Sequence, residues 1–144
     1  QFPALLLNNF IVDAENTVIT NPLTTANFTN CIIYGNNNPE LLIEKENTEI
    51  FNFKFTNSLI YFDDLNGNFS SAEYDFSNSI IYENIIFNND PLFQDPNNNR
   101  LKIPVGSPAQ GTGIIYGNLN KDITNTIRNQ PPDIGAYNAV QFED

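Results

Sequence analysis

The most informative feature of this chain is a heptapeptide that occurs three times. It runs Phe28-Thr29-Asn30-Cys31-Ile32-Ile33-Tyr34, returns as Phe55-Thr56-Asn57-Ser58-Leu59-Ile60-Tyr61, and returns again as Phe76-Ser77-Asn78-Ser79-Ile80-Ile81-Tyr82. The second copy begins 27 residues after the first, and the third begins 21 residues after the second. Repeats at this spacing are typical of chains whose units stack on one another.

Each copy predicts short β-strands. The heptapeptides are rich in β-branched and aromatic residues and are too short for a helix. Similar runs lie between them, the clearest being Leu41-Leu42-Ile43 and Phe51-Asn52-Phe53-Lys54-Phe55. A parallel β-helix stacks such strands and buries an apolar core that no single coil could bury. The sequence therefore predicts an all-β, right-handed parallel β-helix (solenoid) of about four to six coils, each with three short strands.

Asparagine supplies 26 of the 144 residues and must have a positional role. Asn accepts a left-handed backbone better than other non-glycine residues, and stacked amides can form hydrogen bonds along an axis. Asn30, Asn57 and Asn78 occupy one place in the three copies, so we predict that they form such a ladder. The alternative is that they are ordinary surface turn residues. Cys31 stands where the other copies have serine, which predicts a small packing residue.

The pattern changes after residue 89, where Asp-Pro pairs and loops replace the repeats. We predict one domain over 1–144, with repeat coils in 1–89 and a last coil and irregular C-terminal cap in 90–144. One guanidinium can bridge two carboxylates, so Asp122, Arg128 and Asp133 are predicted to lie together and to hold the cap in place. Arg128→Ala would then lower stability without altering any binding, because its partners would be left unpaired. The alternative gives Arg128 the role of a catalytic base or substrate clamp.

The composition excludes several functions. The chain has no His and one Cys, which excludes imidazole catalysis, His-ligated zinc, multi-thiolate metal sites and an internal disulfide. A net charge of −11 with six scattered basic residues argues against nucleic-acid binding. No run of 18 apolar residues predicts a membrane-spanning segment.

The neighbouring acids Asp63 and Asp64 are weak candidates for a metal site. Ca²⁺, which needs six to eight oxygen ligands, is the one cofactor considered, and no matching acids recur at the repeat spacing. A solvated loop is the simpler interpretation. No cofactor is assigned, and no residue is predicted to be catalytic.

The two ends of the chain differ. Phe2 and residues 5–7 begin an apolar run with no polar cap, whereas the C-terminal end carries a long irregular one. An uncapped end exposes core side chains and unpaired strand edges. We expect the first coil to stack on upstream β-helix coils of a longer precursor or on a partner chain, with any secretion signal lying upstream.

The tail resembles a known family. The motifs that carry this resemblance are, in order, Asp90-Pro91-Leu92-Phe93, Ser107-Pro108-Ala109, Asp122 with Arg128, and Pro132-Asp133-Ile134-Gly135-Ala136-Tyr137. The series is similar to the C-terminal end of secreted bacterial right-handed parallel β-helix proteins, the pectate-lyase-like, often surface-anchored choice-of-anchor Q group of Gram-negative bacteria. The repeats resemble their coils as well. Asn125 and Asn138 stand where the family usually has Gly and Glu.

The resemblance implies architecture and location, namely a secreted or cell-surface protein associated with the outer membrane. It carries no catalytic residue over to this chain. We therefore predict a non-catalytic module with a structural, glycan-binding or protein-partner role. The alternative is a piece of a polysaccharide lyase or glycoside hydrolase whose active site lies on other coils. A recurring set of acids with a basic residue on one sheet would favour the enzyme, and the sequence shows none.

Overall fold

The computed structural model describes residues 2–143 and consists mainly of short strands and turns. Within those residues, the helical segments are two single-turn 3₁₀ helices, Ala72–Tyr74 and Pro96–Asn98. The strands are β1 Leu5–Asn8, β2 Phe10–Val12, β3 Val18–Thr20, β4 Leu23–Thr29, β5 Ile32–Ile33, β6 Leu41–Glu44, β7 Phe51–Thr56, β8 Leu59–Ile60, β9 Tyr82–Glu83 and β10 Ile86–Phe87. The described part of the tail, residues 90 to 143, contains the second of these 3₁₀ helices and isolated bridges, but no strand.

The strands form four small sheets. One three-stranded sheet has the order β4-β7-β9 and another has the order β10-β8-β5, and all of their pairs are parallel. β1 pairs with β6 in parallel, and β2 pairs with β3 as an antiparallel hairpin. Parallel pairs need long crossovers, which the intervening loops supply.

The prediction of all-β structure is confirmed, but the predicted right-handed parallel β-helix of four to six coils is wrong. Within the described chain, no sheet exceeds three strands, one sheet is antiparallel, and no solenoid coil pattern forms. Four of the strands are only two residues long. The physical reason lies in the long connections, whose Asn, Asp and Pro residues favour individual turns over repeated strands.

The third heptapeptide is not the third strand of the sheet. Phe55 pairs with Tyr82, 27 residues further on, which repeats the offset between Phe28 and Phe55. Residues 76–81 instead form a turn that leaves the Ile80 side chain 80% exposed. The pairing register therefore follows a constant 27-residue spacing and not the closest sequence match.

Two apolar clusters hold the molecule together. The main core contains Ile33, Leu41, Ile43, Phe55, Ile60, Phe62 and Tyr82. A second cluster, between β8 and the tail, contains Leu59, Ile103, Ala109 and Ile134. Successive side chains in a strand point to opposite faces, so β8 contributes Ile60 to the main core and Leu59 to the second cluster.

An aromatic row crosses the β4-β7-β9 sheet. The ring of Phe55 is fully buried, 4.7 Å from the ring of Phe28 and 5.7 Å from that of Tyr82 between centroids. Both neighbours lie nearly parallel to it. Stacking of these three rings, which occupy equivalent positions on adjacent strands, thus sets the 27-residue pairing register.

The N-terminal run is attached to its own chain through β6. Leu5 pairs with Leu41, and the Ala4 N–H donates to Glu40 Oε2 at 2.7 Å. The Glu40 carboxylate is buried, and it also accepts the N–H of Asn37. Stacking of this end on a precursor or partner chain stays a prediction.

Candidate functional site

Three asparagines stand at equivalent places in the paired strands. Asn30, Asn57 and Asn84 all adopt the left-handed conformation, with φ of 56°, 45° and 54°. Asn84 Nδ2 donates to Asn57 Oδ1 at 3.4 Å. The prediction that Asn78 is the third residue of this ladder is wrong. Asn78 lies in the turn formed by residues 76–81, where its Oδ1 accepts the N–H of Ile80.

Asn30 and Asn57 bind the tail, not each other. Asn30 Nδ2 donates to the carbonyl of Ile114 at 2.8 Å, and its Oδ1 accepts the N–H of the same residue at 2.9 Å. Asn57 Nδ2 donates to the carbonyl of Thr112 at 2.8 Å. These amides imitate the pairing that a neighbouring strand would provide, so the repeats determine where the tail lies.

Arg128 organises the tail through main-chain carbonyls. Its guanidinium donates to the carbonyl oxygens of Lys121 at 3.3 Å, Asp133 at 3.2 Å and Gly135 at 2.9 Å. The predicted bridge between the guanidinium and the carboxylates of Asp122 and Asp133 is therefore wrong. The three residues do stabilise the same segment, but each does so through backbone groups.

Asp133 is the buried member of this group. Its side chain is 1% exposed, and its two oxygens accept the N–H groups of Gly111 and Ala139, each at 2.7 Å. One carboxylate thus joins the loop that follows Ala109 to the last residues of the tail. A buried carboxylate without those donors would be costly.

Asp122 caps a turn in the tail. Its Oδ1 accepts the N–H groups of Thr124 and Thr126, and its Oδ2 accepts the N–H of Asn138 at 3.0 Å. Partial desolvation opposes the charge, but the hydrogen bonds from Asn138, Thr124 and Thr126 outweigh it and lower the pKa of Asp122 to about 2. The ionised form therefore stabilises the tail.

Asp63 and Asp64 lie in a loop stabilised by its own backbone. Asp64 accepts the N–H of Phe69 at 3.0 Å and that of Asn68 at 2.8 Å, and the bond from Phe69 is the main cause of its lowered pKa. The N–H of Asp63 donates to Asn38 Oδ1. Within residues 2–143, no cluster of three or more His, Cys, Asp or Glu side chains suits a metal ion.

Cys31 packs beside its structural counterpart in the next repeat. Its N–H donates to Ser58 Oγ at 3.1 Å, and its Sγ donates to the carbonyl of Thr29 at 3.5 Å. Burial raises the pKa of the thiol, and the bond to Thr29 offsets only part of that rise. The thiol therefore stays protonated at neutral pH, which is the unreactive form.

A cleft lies between the β4–β5 segment and the tail. Its volume is about 630 Å³, within the range of small-ligand sites. The strands contribute Asn27, Thr29 and Ile32. The tail contributes Tyr116 and Tyr137, and both walls add further apolar surface. The cleft therefore combines aromatic and apolar surface with amide and hydroxyl groups.

The cleft is positively charged in an acidic protein. Lys121 and Arg128 are the charged residues among those that line it, although the whole chain has only six basic residues and a net charge of −11. Lys121 Nζ donates to Asn125 Oδ1 at 3.0 Å, which leaves further N–H groups available. Arg128 likewise has donors beyond the three used on the tail. An anionic ligand would meet no carboxylate there.

A second hollow of about 700 Å³ adjoins the cleft and shares Phe93 and Leu101 with it. Tyr34 and Asp90 line this hollow, so its surface includes an acidic side chain. The cationic part of the combined surface is therefore confined to the cleft.

Among the residues of this cleft, the sequence singles out Asn30, Cys31 and Arg128. It does not single out Tyr116, Leu119 or Lys121, which come from the irregular tail. A usable pattern was present in the run Ile114-Ile115-Tyr116, whose Ile115 and Tyr116 side chains are 67% and 54% exposed. An exposed apolar run with no strand partner indicates a contact surface.

No helix among residues 2–143 is long and apolar enough to cross a membrane. Comparisons with protein-family models, curated proteins and solved structures gave no match to this chain. The resemblance to the choice-of-anchor Q group therefore stays a prediction from the tail motifs and repeats.

Proposed function

We propose that this chain is a non-catalytic, secreted or cell-surface module that binds an acidic oligosaccharide in the cleft. The observation that carries the proposal is the lining of the cleft, which brings Tyr116, Lys121 and Arg128 together with no acidic side chain. The whole chain carries a net charge of −11, so a cleft lined by two basic residues and no acidic one indicates a site for an anionic ligand.

The chemistry of the lining suits a sugar. A pyranose presents an apolar face and a rim of hydroxyls, and Tyr116 offers a half-exposed ring with a polar tip. Asn27 and Thr29 on the opposite wall supply amide and hydroxyl groups for that rim.

The charge of the lining favours a carboxylated or sulfated sugar. Lys121 and Arg128 can donate charge-assisted hydrogen bonds, which are stronger than neutral ones. The net charge of −11 repels anions at long range, but at physiological ionic strength this repulsion is screened beyond about 8 Å. Contacts inside the cleft then decide affinity.

The same lining argues against catalysis in the cleft. Glycoside hydrolysis ordinarily needs two carboxyl groups on either side of the bond, and the cleft lining supplies none. Arg128 donates to three carbonyls, which suits a structural cation and not a proton acceptor. The alternative, a polysaccharide lyase or hydrolase with catalysis elsewhere, predicts that chain 1–144 degrades no polysaccharide by itself.

Isothermal titration calorimetry with oligogalacturonate and with a neutral cello-oligosaccharide tests the proposal. We expect the acidic sugar to bind more tightly, Lys121→Gln to weaken it about fivefold and Tyr116→Ala to weaken it about tenfold. Lys102→Gln and Leu65→Ala, which alter exposed residues outside the cleft, are the matched controls. Absence of saturable binding to either sugar, or equal effects of Lys121→Gln and Lys102→Gln, would overturn the proposal.

A further inference from the structure

The hollow beside the cleft is continuous with it and carries the opposite charge. Phe93 and Leu101 line both, so a ligand that fills the cleft and is longer than it extends over these side chains into the hollow. Lys121 and Arg128 line the cleft, whereas Asp90 is the one charged residue among the described residues that line the hollow. The combined surface is therefore cationic at one end and anionic at the other.

The lining of the hollow suits a second sugar residue. The rings of Tyr34 and Phe93 meet edge to face with their centroids 6.4 Å apart, and Phe142 adds a third aromatic side chain. Asn36 and Gln94 supply amide groups. Aromatic surface accepts the apolar face of a pyranose, and amides pair with its hydroxyls. The hollow can therefore hold a sugar next to the one in the cleft.

Leu92 adopts a strained backbone conformation at the wall of the hollow. Its φ is 62°, and among residues 2–143 it is the one residue other than Asn and Gly with a positive φ. Its N–H donates to Asp90 Oδ1 at 2.8 Å, and its side chain is 46% exposed. Backbone strain of this kind is concentrated at ligand sites. The turn at residues 90–92 is therefore part of a binding surface and not an arbitrary loop.

The carboxylate of Asp90 disfavours an acidic sugar in the hollow. Burial raises the pKa of Tyr34, and the charge of Asp90 raises it further, so this charge acts within the hollow. A carboxylate has about four acceptor positions, and the bond from Leu92 leaves others for sugar hydroxyls. A uronate at the same place would bring two like charges together, which is unfavourable. The hollow thus favours an uncharged sugar.

We propose that the cleft and the hollow together bind an oligosaccharide in which uronates alternate with uncharged sugars. The uronate lies at Lys121 and Arg128, and the uncharged sugar lies at Asp90. This inference rests on the proposed function, because it takes the cleft to be the site of the acidic residue. Asp90 is then the residue that determines specificity, whereas Lys121 contributes to the binding of any acidic sugar.

Isothermal titration calorimetry of chain 1–144 with three tetrasaccharides tests the inference. The hyaluronan tetrasaccharide alternates uronate with N-acetylhexosamine, the galacturonate tetrasaccharide contains only uronates, and cellotetraose is uncharged. We expect hyaluronan to bind about fivefold more tightly than galacturonate, and cellotetraose to bind most weakly. Attraction by Lys121 and Arg128 alone would favour galacturonate, which carries more carboxylates. The comparison uses the wild-type chain, so it does not depend on the folding of any variant.

Asp90→Asn keeps an oxygen for the N–H of Leu92 and removes the charge. It should tighten galacturonate binding about threefold and change hyaluronan binding by less than about twofold. Asp75→Asn is the matched control, because Asp75 is an equally exposed acid that accepts the N–H of Ser77 two residues further on and lines neither hollow. It should leave the ratio of the two affinities unchanged.

Two results would overturn this inference and leave the proposed function standing. One is galacturonate binding at least as tightly as hyaluronan to the wild-type chain. The other is an equal effect of Asp90→Asn and Asp75→Asn on the ratio of the two affinities. If neither acidic tetrasaccharide binds more tightly than cellotetraose, the inference and the proposed function are both wrong.

Discussion

At the scale of single residues, the tail depends on two carboxylates that accept main-chain N–H groups. Asp133 is buried and joins two distant parts of the tail, whereas Asp122 is partly exposed and stabilises one turn. Each contributes through the hydrogen bonds that its oxygens accept, because an apolar replacement would leave those N–H groups without acceptors.

Asp133→Ala should lower the free energy of unfolding by about 3 kcal/mol, because it leaves the partly buried N–H groups of Gly111 and Ala139 without acceptors. Urea denaturation followed by circular dichroism measures the loss. Asp75→Ala, in an exposed turn, is the control and should cost less than about 1 kcal/mol. Equal losses in the two variants would contradict this account of the tail.

Asp122 should make stability depend on acidity below pH 4. Its pKa is about 2 when folded and about 3.9 in an unfolded chain, so its contribution is complete above about pH 4 and is lost as the pH falls to 2. Asp122→Asn should remove this part of the pH dependence. Urea midpoints of both proteins between pH 2 and 6 should converge as the pH decreases, and a constant difference would refute the assignment.

At the scale of the elements, left-handed asparagines decide where strands end and turns begin. Among the described residues, seven of the eight non-glycine residues with positive φ are Asn, and the eighth is Leu92. Asn30, Asn57 and Asn84 use this conformation between consecutive strands. Asn78 does not, although it occupies the matching place in the third heptapeptide.

Alanine and glycine substitutions should therefore rank in opposite orders of stability at Asn84 and at Asn78. At Asn84, alanine should cost about 1–2 kcal/mol through left-handed strain, and glycine should cost less. At Asn78, glycine should be the more costly replacement, because it only adds freedom to the unfolded chain. Thermal denaturation of the four variants gives the comparison. If alanine and glycine ranked in the same order at both sites, the pairing register that places Asn84 beside Asn57 would be wrong.

At the scale of the whole molecule, net charge opposes compactness. Seventeen acids face six bases, and the two ion pairs found among residues 2–143, Lys45–Glu73 and Lys54–Glu83, are partly exposed. Pairs of this kind contribute little. Repulsion between the remaining acids should therefore dominate the response of the protein to salt.

The melting temperature should rise when NaCl is increased from about 10 mM to 150 mM at pH 7, because the Debye length falls from about 30 Å to about 8 Å. Near the sequence pI of about 4.1, the same change in salt should have little effect. Differential scanning calorimetry at the two pH values gives the test. A melting temperature that falls with salt at pH 7 would indicate that attractive pairs outweigh the repulsion.

The sequence by itself determined the all-β class, the positions of the central strands and the exclusion of His-based chemistry. These properties follow from local composition: β-branched and aromatic runs favour strands wherever they occur, and Asn favours left-handed turns. The heptapeptides at residues 28–34 and 55–61 accordingly contain β5 and β8, with β4 and β7 ending in them.

Only the tertiary structure decided the register, the number of paired strands and the cleft. Phe76 and Tyr82 are both aromatic and both precede an Asn by two residues, so local pattern cannot choose between them. Tyr82 is the residue that pairs with Phe55, because its ring stacks on that of Phe55 and its hydroxyl donates to the carbonyl of Glu73. The ring of Phe76 packs against the ring of Tyr82 instead. Likewise, Arg128 binds carbonyls and lines the cleft because distant segments meet there, which no local pattern encodes.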